Sequence, residues 1–349
     1  MNKDIIISIL ILSILILCYN YKNYFLNKKN NNKLVIYVFD REHNKIVKEF
    51  IPLYIKIALK YMFKIQKNSL YKLDKLDNKL KNKISIIFKK ISIRQGKKFN
   101  NKKSIKYIPK FIQLYNININ EIEKNINEYK TFNEFFSRGL KLGVRIIYKF
   151  DNPNFAVCCA DSRLIVFNNV NDAKKLWIKG NEFSIKKLLN YDNNLVSKYE
   201  NGSICIFRLA PQDYHRWHLP TEGLILNSKL IDGNLYSVNP LFINNTDVLT
   251  ENKRIIVELQ SLNFGKIIMI IVGTLFIGSI KFLIETGFFY NKGDVHGYFE
   301  FGGSTVILLF EPNTIKFDDD LINNSNNSIE TLVKVGMSLG VSLGVSLVN

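Results

Sequence analysis

Residues 266–280, KIIMIIVGTLFIGSI, decide the fold. The stretch carries a single charge at its start, so a helix that spans a membrane is the obvious alternative to a soluble fold. Gly273, Gly278 and the many β-branched residues fit two buried strands better than one long helix. We therefore predict strands here.

Similar short runs fill the chain from about Asn152 onwards. They are rich in β-branched and aromatic residues, and Gly, Pro and Asn separate them. The runs are RLIVF, SICIFRL, LILNSKL, RIIVELQ, GYFEF and STVILLF. Their spacing predicts a β-rich domain over residues 151–349, with a sandwich or barrel-like form.

The region before this domain, residues 22–150, is basic and favours helices. Residues 51–63, IPLYIKIALKYMF, place apolar side chains at helical spacing, and residues 118–140, NINEIEKNINEYKTFNEFFSRGL, predict another helix. The fold class predicted is α+β, with N-terminal helices followed by a β-rich catalytic domain.

The net charge of +19 lies in one part of the chain. Residues 21–110 contain 25 Lys and Arg against 5 Asp and Glu, whereas the residues from 111 onwards contain 23 against 24. Such a region attracts nucleic acid or an anionic membrane. The apolar run at residues 5–18 favours the membrane, so we expect the helices of residues 22–150 to associate with it. We predict that residues 1–21 are an uncleaved anchor; a removed signal peptide is the alternative.

Four cysteines are present, and no two have the CxxC spacing of a zinc site or redox motif. With only four histidines as well, we predict neither a disulfide framework nor a metal centre.

The densest polar cluster is DYHRWH, residues 213–218. Histidine is the side chain best suited to acid–base chemistry near neutral pH, and His215 and His218 are three residues apart. Two histidines with purely structural roles are an equally open interpretation of this spacing.

A second candidate is the segment Gly302-Gly303-Ser304-Thr305. A serine after a glycine pair can attack the preceding carbonyl carbon if a base removes its proton. A Gly-Gly hairpin turn between two strands is the simpler alternative. Asp161 follows an apolar run and could orient a histidine, although the residue alone indicates little.

These features, taken in chain order, resemble the phosphatidylserine decarboxylase family. The segments similar to family motifs are FFSRGLK at 135–141, AD at 160–161, IKG with FS and LL at 178–189, DYHRWHLPTEG at 213–223, LYSVNP at 235–240, NKR at 252–254, VGT and IGSI at 272–280, KGD with GYF at 292–299, and GGSTVILLF at 302–310. The chain departs from the family at Ser162, where the family has Gly, and at Leu142, where it has Pro.

The resemblance implies a self-processing triad of Asp161, His218 and Ser304. Asp161 would orient His218, and His218 would take the proton from Ser304 as it attacks the Gly303 carbonyl. The chain would be cut between Gly303 and Ser304 into residues 1–303 and 304–349. Ser304 would become a pyruvoyl cofactor, the electron sink for converting phosphatidylserine to phosphatidylethanolamine and CO2.

The resemblance also implies secondary roles and partners. His215 is the candidate proton donor or carboxylate-site residue, while Asp213, Tyr214 and Arg216 would shape the headgroup pocket. The partners expected are phosphatidylserine in an anionic membrane and the two cleavage products as a heterodimer, with homo-oligomers left open and nucleic acid not expected. The absence of Arg before Arg41 favours the endoplasmic reticulum or another endomembrane over the mitochondrial inner membrane.

Three other functions stay open. A membrane-anchored Ser-His-Asp hydrolase or acyltransferase could use the same residues, but no GxSxG motif surrounds Ser304. A non-catalytic basic protein could bind lipid or nucleic acid. A pyruvoyl decarboxylase could act on a soluble amino acid, although the apolar segment and the basic region argue against it.

Overall fold

A computed structural model describes residues 36–49, 93–172, 184–233, 248–273, 280–301 and 304–345. The predicted anchor at 1–21, the predicted helix at 51–63 and the Gly302–Gly303 pair lie outside the described residues, as do the motifs at 178–183 and 235–240. Within the described ranges, we find no helix with the length and apolar character needed to cross a membrane.

The chain divides into two compact units. One comprises Met1–Ile36 and Lys48–Lys75 and lies almost wholly outside the described residues; the other comprises Tyr37–Val47 and Leu76–Asn349. The second unit contains nearly all of the elements below.

Sixteen strands form three sheets in the described residues. They are β1 Tyr37–Asp40, β2 Lys45–Lys48, β3 Phe155–Val157, β4 Ser162–Phe167, β5 Ser203–Leu209, β6 Arg216–His218, β7 Gly223–Ile231, β8 Arg254–Ser261, β9 Gly265–Val272, β10 Ile280–Phe282, β11 Phe289–Tyr290, β12 Val295–Phe299, β13 Ser304–Phe310, β14 Ile315–Phe317, β15 Glu330–Val333 and β16 Ser338–Ser342.

The largest sheet has ten strands in the order β11-β7-β8-β9-β13-β5-β4-β15-β1-β2. All neighbouring pairs from β11 to β15 are antiparallel, and β15 pairs with β1 in parallel. Two three-stranded sheets, β10-β12-β6 and β14-β16-β3, complete the set. The predicted α+β class is confirmed, and six of the predicted runs match β4, β5, β7, β8, β9 and β13. A sandwich or barrel-like form stays a prediction.

Both faces of the ten-stranded sheet are covered at its centre. Alternate residues of β5 show this: Cys205 and Phe207 belong to one hydrophobic cluster, and Ile204 and Ile206 belong to another. Successive side chains of a strand point to opposite faces, so a strand buried on both sides is apolar throughout. This explains the unbroken apolar run of β13, of which every residue is buried.

The helical segments within the described residues are short. Residues 93–99 form α1, followed by α2 Ile108–Tyr115, α3 Phe132–Phe136, α4 Ile185–Leu188, α5 Asn193–Tyr199, α6 Val248–Glu251 and α7 Asp319–Asn326. Near α1 to α3, eight buried residues form a separate aromatic-rich cluster. The strands β1 and β2 add a piece of sheet to the region that the sequence predicts to be mainly helical.

The single helix predicted over residues 118–140 is wrong. The segment contains 3-10 turns at Ile119–Glu121 and Ile126–Glu128, and only α3 is α-helical. Asn118 begins the first of these turns, where its side chain accepts a hydrogen bond from the Asn120 amide. Asn side chains compete with the helical backbone in this way and favour turns.

Candidate active site

Ser304 is the first residue of β13 and lies between β5 and β9 in the ten-stranded sheet. Its side chain is buried. The preceding strand β12 pairs with β6 and β10 in another sheet, and not with β13. The segment that contains Gly302 and Gly303 therefore crosses from one sheet to another. This excludes the alternative of a Gly-Gly hairpin between paired strands.

The Ser304 hydroxyl faces His215. Its Oγ lies 3.3 Å from Nδ1 of His215, while Nε2 of the same ring lies 3.1 Å from the carbonyl oxygen of Ala210. Because a carbonyl only accepts hydrogen bonds, Nε2 carries the ring hydrogen and Nδ1 accepts the bond from Ser304. Burial, helped by the charge of Arg138, lowers the pKa of His215 to about 3, so the ring is neutral at pH 7.

Helix α3 and the residue pair after it hold the loop that carries His215. The Phe136 ring stacks on the His215 ring with centroids 4.0 Å apart. Arg138 donates to the carbonyls of Gln212 and Asp213 at 3.2 and 3.1 Å. The sequence FFSR thus fixes the position of the loop.

The same helix reaches the other side of the glycine pair. The Asn133 side-chain oxygen accepts a hydrogen bond from the Phe301 amide at 3.0 Å, and the Phe301 ring packs 5.1 Å from that of Phe136. Phe301, directly before the glycine pair, therefore contacts α3, and Ser304, directly after it, contacts the His215 ring that stacks on Phe136 of α3.

His218 has partners at both ring nitrogens. Nδ1 lies 2.7 Å from the Gly293 carbonyl and therefore carries the hydrogen, and Nε2 accepts from the Tyr214 hydroxyl at 3.2 Å. Gly293 adopts a φ of +85°, and a Cβ there would lie 2.7 Å from the Ile147 side chain, so only glycine suits this turn. Burial lowers the pKa of His218, while the Gly293 bond and the charge of Asp161 act in the opposite direction.

The Asp161 carboxylate is held by Arg145. The Arg145 Nε and Nη2 atoms lie 3.1 and 2.5 Å from the two carboxylate oxygens, and the Val335 amide donates to Oδ1 at 2.8 Å. Arg145 also contacts Glu121 at 3.0 Å. Two-point contact with a guanidinium fixes the plane of a carboxylate.

The Asp213 carboxylate is held by two contacts. It pairs with Arg163 and accepts from the Ala210 amide at 2.7 Å. Burial raises its pKa, and the Arg163 contact opposes that rise. Arg216 donates to the Ser137 carbonyl at 3.0 Å. Both residues shape the loop around the histidines.

The predicted site residues are connected by two side-chain hydrogen bonds. They join Ser304 to His215 and His218 to Tyr214. Among the described residues, no hydrogen bond joins His218 to Ser304 or to Asp161. Sequence reasoning did not identify Arg145 and Phe136 as site residues. The available signal was that both lie in the segment FFSRGLKLGVR, residues 135–145.

Known proteins similar to this chain show which family it belongs to. The family model described as phosphatidylserine decarboxylase matches residues 132–341, which is more than half of the chain. The chain belongs to the phosphatidylserine decarboxylase family. The resemblance predicted from the sequence is confirmed.

Two relatives illustrate how the chain compares with named members of this family. It is 44% identical over 87% of its length to phosphatidylserine decarboxylase proenzyme 2 of Oryza sativa subsp. japonica, and it spans 48% of that protein. It is 40% identical over 73% of its length to the phosphatidylserine decarboxylase proenzyme of Clostridium tetani, and it spans 86% of that one. The chain spans about half the length of the plant relative.

Proposed function

We propose that this chain cuts itself between Gly303 and Ser304 and then decarboxylates phosphatidylserine to phosphatidylethanolamine. The observation that carries the proposal is the buried hydroxyl of Ser304, the residue directly after Gly303, which donates a hydrogen bond to the neutral His215 ring. The names of the relatives as proenzymes support a processing step.

The first step of self-cleavage converts the amide between Gly303 and Ser304 to an ester. The Ser304 Oγ attacks the Gly303 carbonyl carbon, and the bond between this carbon and the Ser304 nitrogen breaks. The nitrogen takes up the proton that left the hydroxyl. Loss of the Ser304 Cα proton then expels the Gly303 carboxylate and leaves dehydroalanine. Hydrolysis of this residue gives a pyruvoyl group and ammonia.

Either His215 or His218 could accept the proton of the Ser304 hydroxyl. The distance to Ser304 favours His215, and the neighbouring charges favour His218. His215 is the closer, but burial and Arg138 both oppose a positive charge on its ring. The charge of Asp161 and the bond to the Gly293 carbonyl favour the imidazolium form of His218, against the effect of burial. We assign the transfer to His218 with Asp161 as its orienting charge, and we assign orientation of the Ser304 hydroxyl to His215. His218 would exchange its Tyr214 contact for Ser304 during the step.

A pyruvoyl group at position 304 would supply a carbonyl that condenses with the substrate amine and takes up the electrons released with CO2. The residues around this position fit such a group, since His215 contacts residue 304 directly and Phe136 shields the ring from water. A substrate carboxylate beside His215 would offset the charge of Arg138. His215 would then be protonated more readily and could donate the proton that replaces CO2.

The two products would remain together. The fragment 304–349 contributes β13, which pairs with both β5 and β9, and β15, which pairs with both β1 and β4. Its removal would break two of the three sheets, because β14 and β16 also belong to it and form a sheet with β3. We therefore propose a heterodimer of residues 1–303 and 304–349.

The proposed substrate is a lipid, so we also propose membrane association through residues 1–21 and the basic residues 22–150, at an endomembrane.

The test of function is release of labelled CO2 from phosphatidylserine labelled in the serine carboxyl group. Wild type should release it and Ser304→Ala should not. Thr305→Val is the matched control, since the buried Thr305 hydroxyl has no hydrogen-bond partner among the described residues. Absence of CO2 from both wild type and control would refute the proposed function.

A further inference from the structure

The loop of residues 141–150, KLGVRIIYKF, exposes an unusual amount of apolar surface. Leu142 is fully exposed and Ile146 is 82% exposed, while Tyr148 and Phe150 are exposed by 40% and 49%. Single exposed apolar side chains are common in soluble proteins, but four within nine residues form a patch that indicates a binding surface.

The loop has an inner and an outer side. Arg145 points inwards to Asp161, and Ile147 packs on Gly293, whose carbonyl holds His218. The residues between and after them, Ile146 and Tyr148, point outwards. The exposed side chains therefore lie on the outer surface of the segment that forms one wall of the active site.

This loop is held in place by its backbone. The Lys141 amide donates to the Glu121 carbonyl at 2.9 Å, and the Tyr148 amide donates to the Gly336 carbonyl at 2.9 Å. Lys292 donates through Nζ to the carbonyl of Lys149 at 2.6 Å. The apolar side chains are thus presented by a fixed scaffold, which reduces the entropy lost on binding.

We propose that residues 141–150 insert into the surface of an anionic lipid bilayer and bring the active site to the lipid headgroups. Lys141 and Lys149 are exposed between the apolar side chains and complement anionic headgroups, with Asp151 as the one acidic residue that follows directly. Tyr148 has the ring and hydroxyl that favour the membrane–water interface. The proposal rests on the proposed function in one respect, that the substrate is a lipid.

The direct test places an environment-sensitive dye on the loop of the full chain. Leu142→Cys and Ile146→Cys would each carry the dye, with Cys18→Ser as background, because Cys158, Cys159 and Cys205 are buried. Asn323→Cys, at an exposed polar position on α7, is the control. Vesicles of phosphatidylcholine and phosphatidylglycerol should shift the emission of both loop dyes to shorter wavelength and leave the control unchanged.

Two outcomes of the dye experiment would overturn the proposal. One is the absence of a shift at either loop position. The other is an emission already at short wavelength before vesicles are added, which would show that protein covers the loop. These vesicles contain no substrate, so the result does not depend on catalysis.

A second measurement separates docking from chemistry. Leu142→Glu combined with Ile146→Glu should lower the turnover of phosphatidylserine in vesicles by about tenfold. Turnover of a short-chain, monomeric phosphatidylserine should stay at the wild-type level. Asn323→Glu combined with Asn326→Glu adds the same charge elsewhere and should leave both rates unchanged.

This measurement distinguishes failure of the docking proposal from failure of the proposed decarboxylase function. Wild-type turnover of vesicle lipid by the double loop variant would overturn docking alone. No turnover of the short-chain lipid by any form, the wild type included, would overturn the proposed function and leave the dye result to decide on docking.

Discussion

Arg145 contacts both carboxylate oxygens of Asp161, at 3.1 Å through Nε and 2.5 Å through Nη2. The same guanidinium contacts Glu121, and its own pKa is raised because these two carboxylates outweigh the effect of burial. Asp161 therefore acts on His218 as a fixed negative charge. Arg145 is a positioning residue for the proposed self-cleavage.

We predict that Arg145→Lys slows self-cleavage by about tenfold to a hundredfold. Lysine keeps the positive charge but cannot hold both oxygens in one plane, and small displacements of catalytic groups have effects of this size. The rate is measured by following the fragments on a gel after synthesis. Arg94→Lys, at an exposed position, is the matched control. A wild-type rate in Arg145→Lys would show that the orientation of Asp161 is unimportant.

The two histidines should separate cleavage from decarboxylation. We expect His218→Ala to remain uncut, because it lacks the base that Asp161 stabilises. We expect His215→Ala to be cut more slowly but to release no CO2 afterwards, because the side chain beside position 304 is missing. Intact mass and CO2 release are measured on the same samples. An uncut His215→Ala together with a cut His218→Ala would reverse our assignment of the base.

Glu330 should stabilise the association of the cleavage products. It pairs with Arg208 through both carboxylate oxygens, and both side chains are buried. Glu330→Gln removes a negative charge that contacts the buried guanidinium at two points, so we expect a loss of about 3 kcal/mol in the free energy of unfolding by urea.

The control for Glu330 is Glu42→Gln, which breaks the exposed ion pair with Lys334. Pairs of this kind contribute about 0–1 kcal/mol. Equal effects of the two substitutions on the urea midpoint would show that burial of the Arg208 pair has no consequence for stability.

His296 should make the fold sensitive to acid. Burial lowers its pKa to about 3, and its Nδ1 has no hydrogen-bond partner among the described residues. The unfolded chain has a histidine pKa of about 6.5 and binds a proton between these two values that the folded chain does not. Stability is therefore complete above pH 6.5 and falls as the pH decreases from there towards 3.

We expect His296→Phe to reduce this acid sensitivity by about one proton, or about 1.4 kcal/mol for each pH unit. Phenylalanine suits the site, because Trp217 and Phe282 surround the ring. Urea unfolding between pH 7.5 and 4.5 gives the slope, and His43→Gln, at a half-exposed position, is the control. An unchanged slope in His296→Phe would contradict the prediction.

The sequence predicted the central strands well and the helical region poorly, for physical reasons. Runs such as SICIFRL and STVILLF are buried on both sides in β5 and β13, so their composition alone indicates a strand. Residues 118–140 also have apolar residues at helical spacing, but Asn118 and Asn125 begin separate turns that the spacing does not reveal.

The sequence identified some residues of the site but not the contacts between them. Motif order identified Ser304, His215 and His218 because glycine and histidine patterns are local in sequence. The hydrogen bond between Ser304 and His215 and the contact between Arg145 and Asp161 join residues 89 and 16 positions apart. Such contacts depend on how α3 and the sheets pack, and no local pattern encodes them.

The mass of the purified chain tests the central claim most directly. Wild type should consist of two fragments, residues 1–303 and residues 304–349 with a blocked N-terminus, and Thr305→Val should give the same cut. Ser304→Ala should remain one chain of 349 residues. A wild-type protein that also remains one intact chain under these conditions would contradict the account.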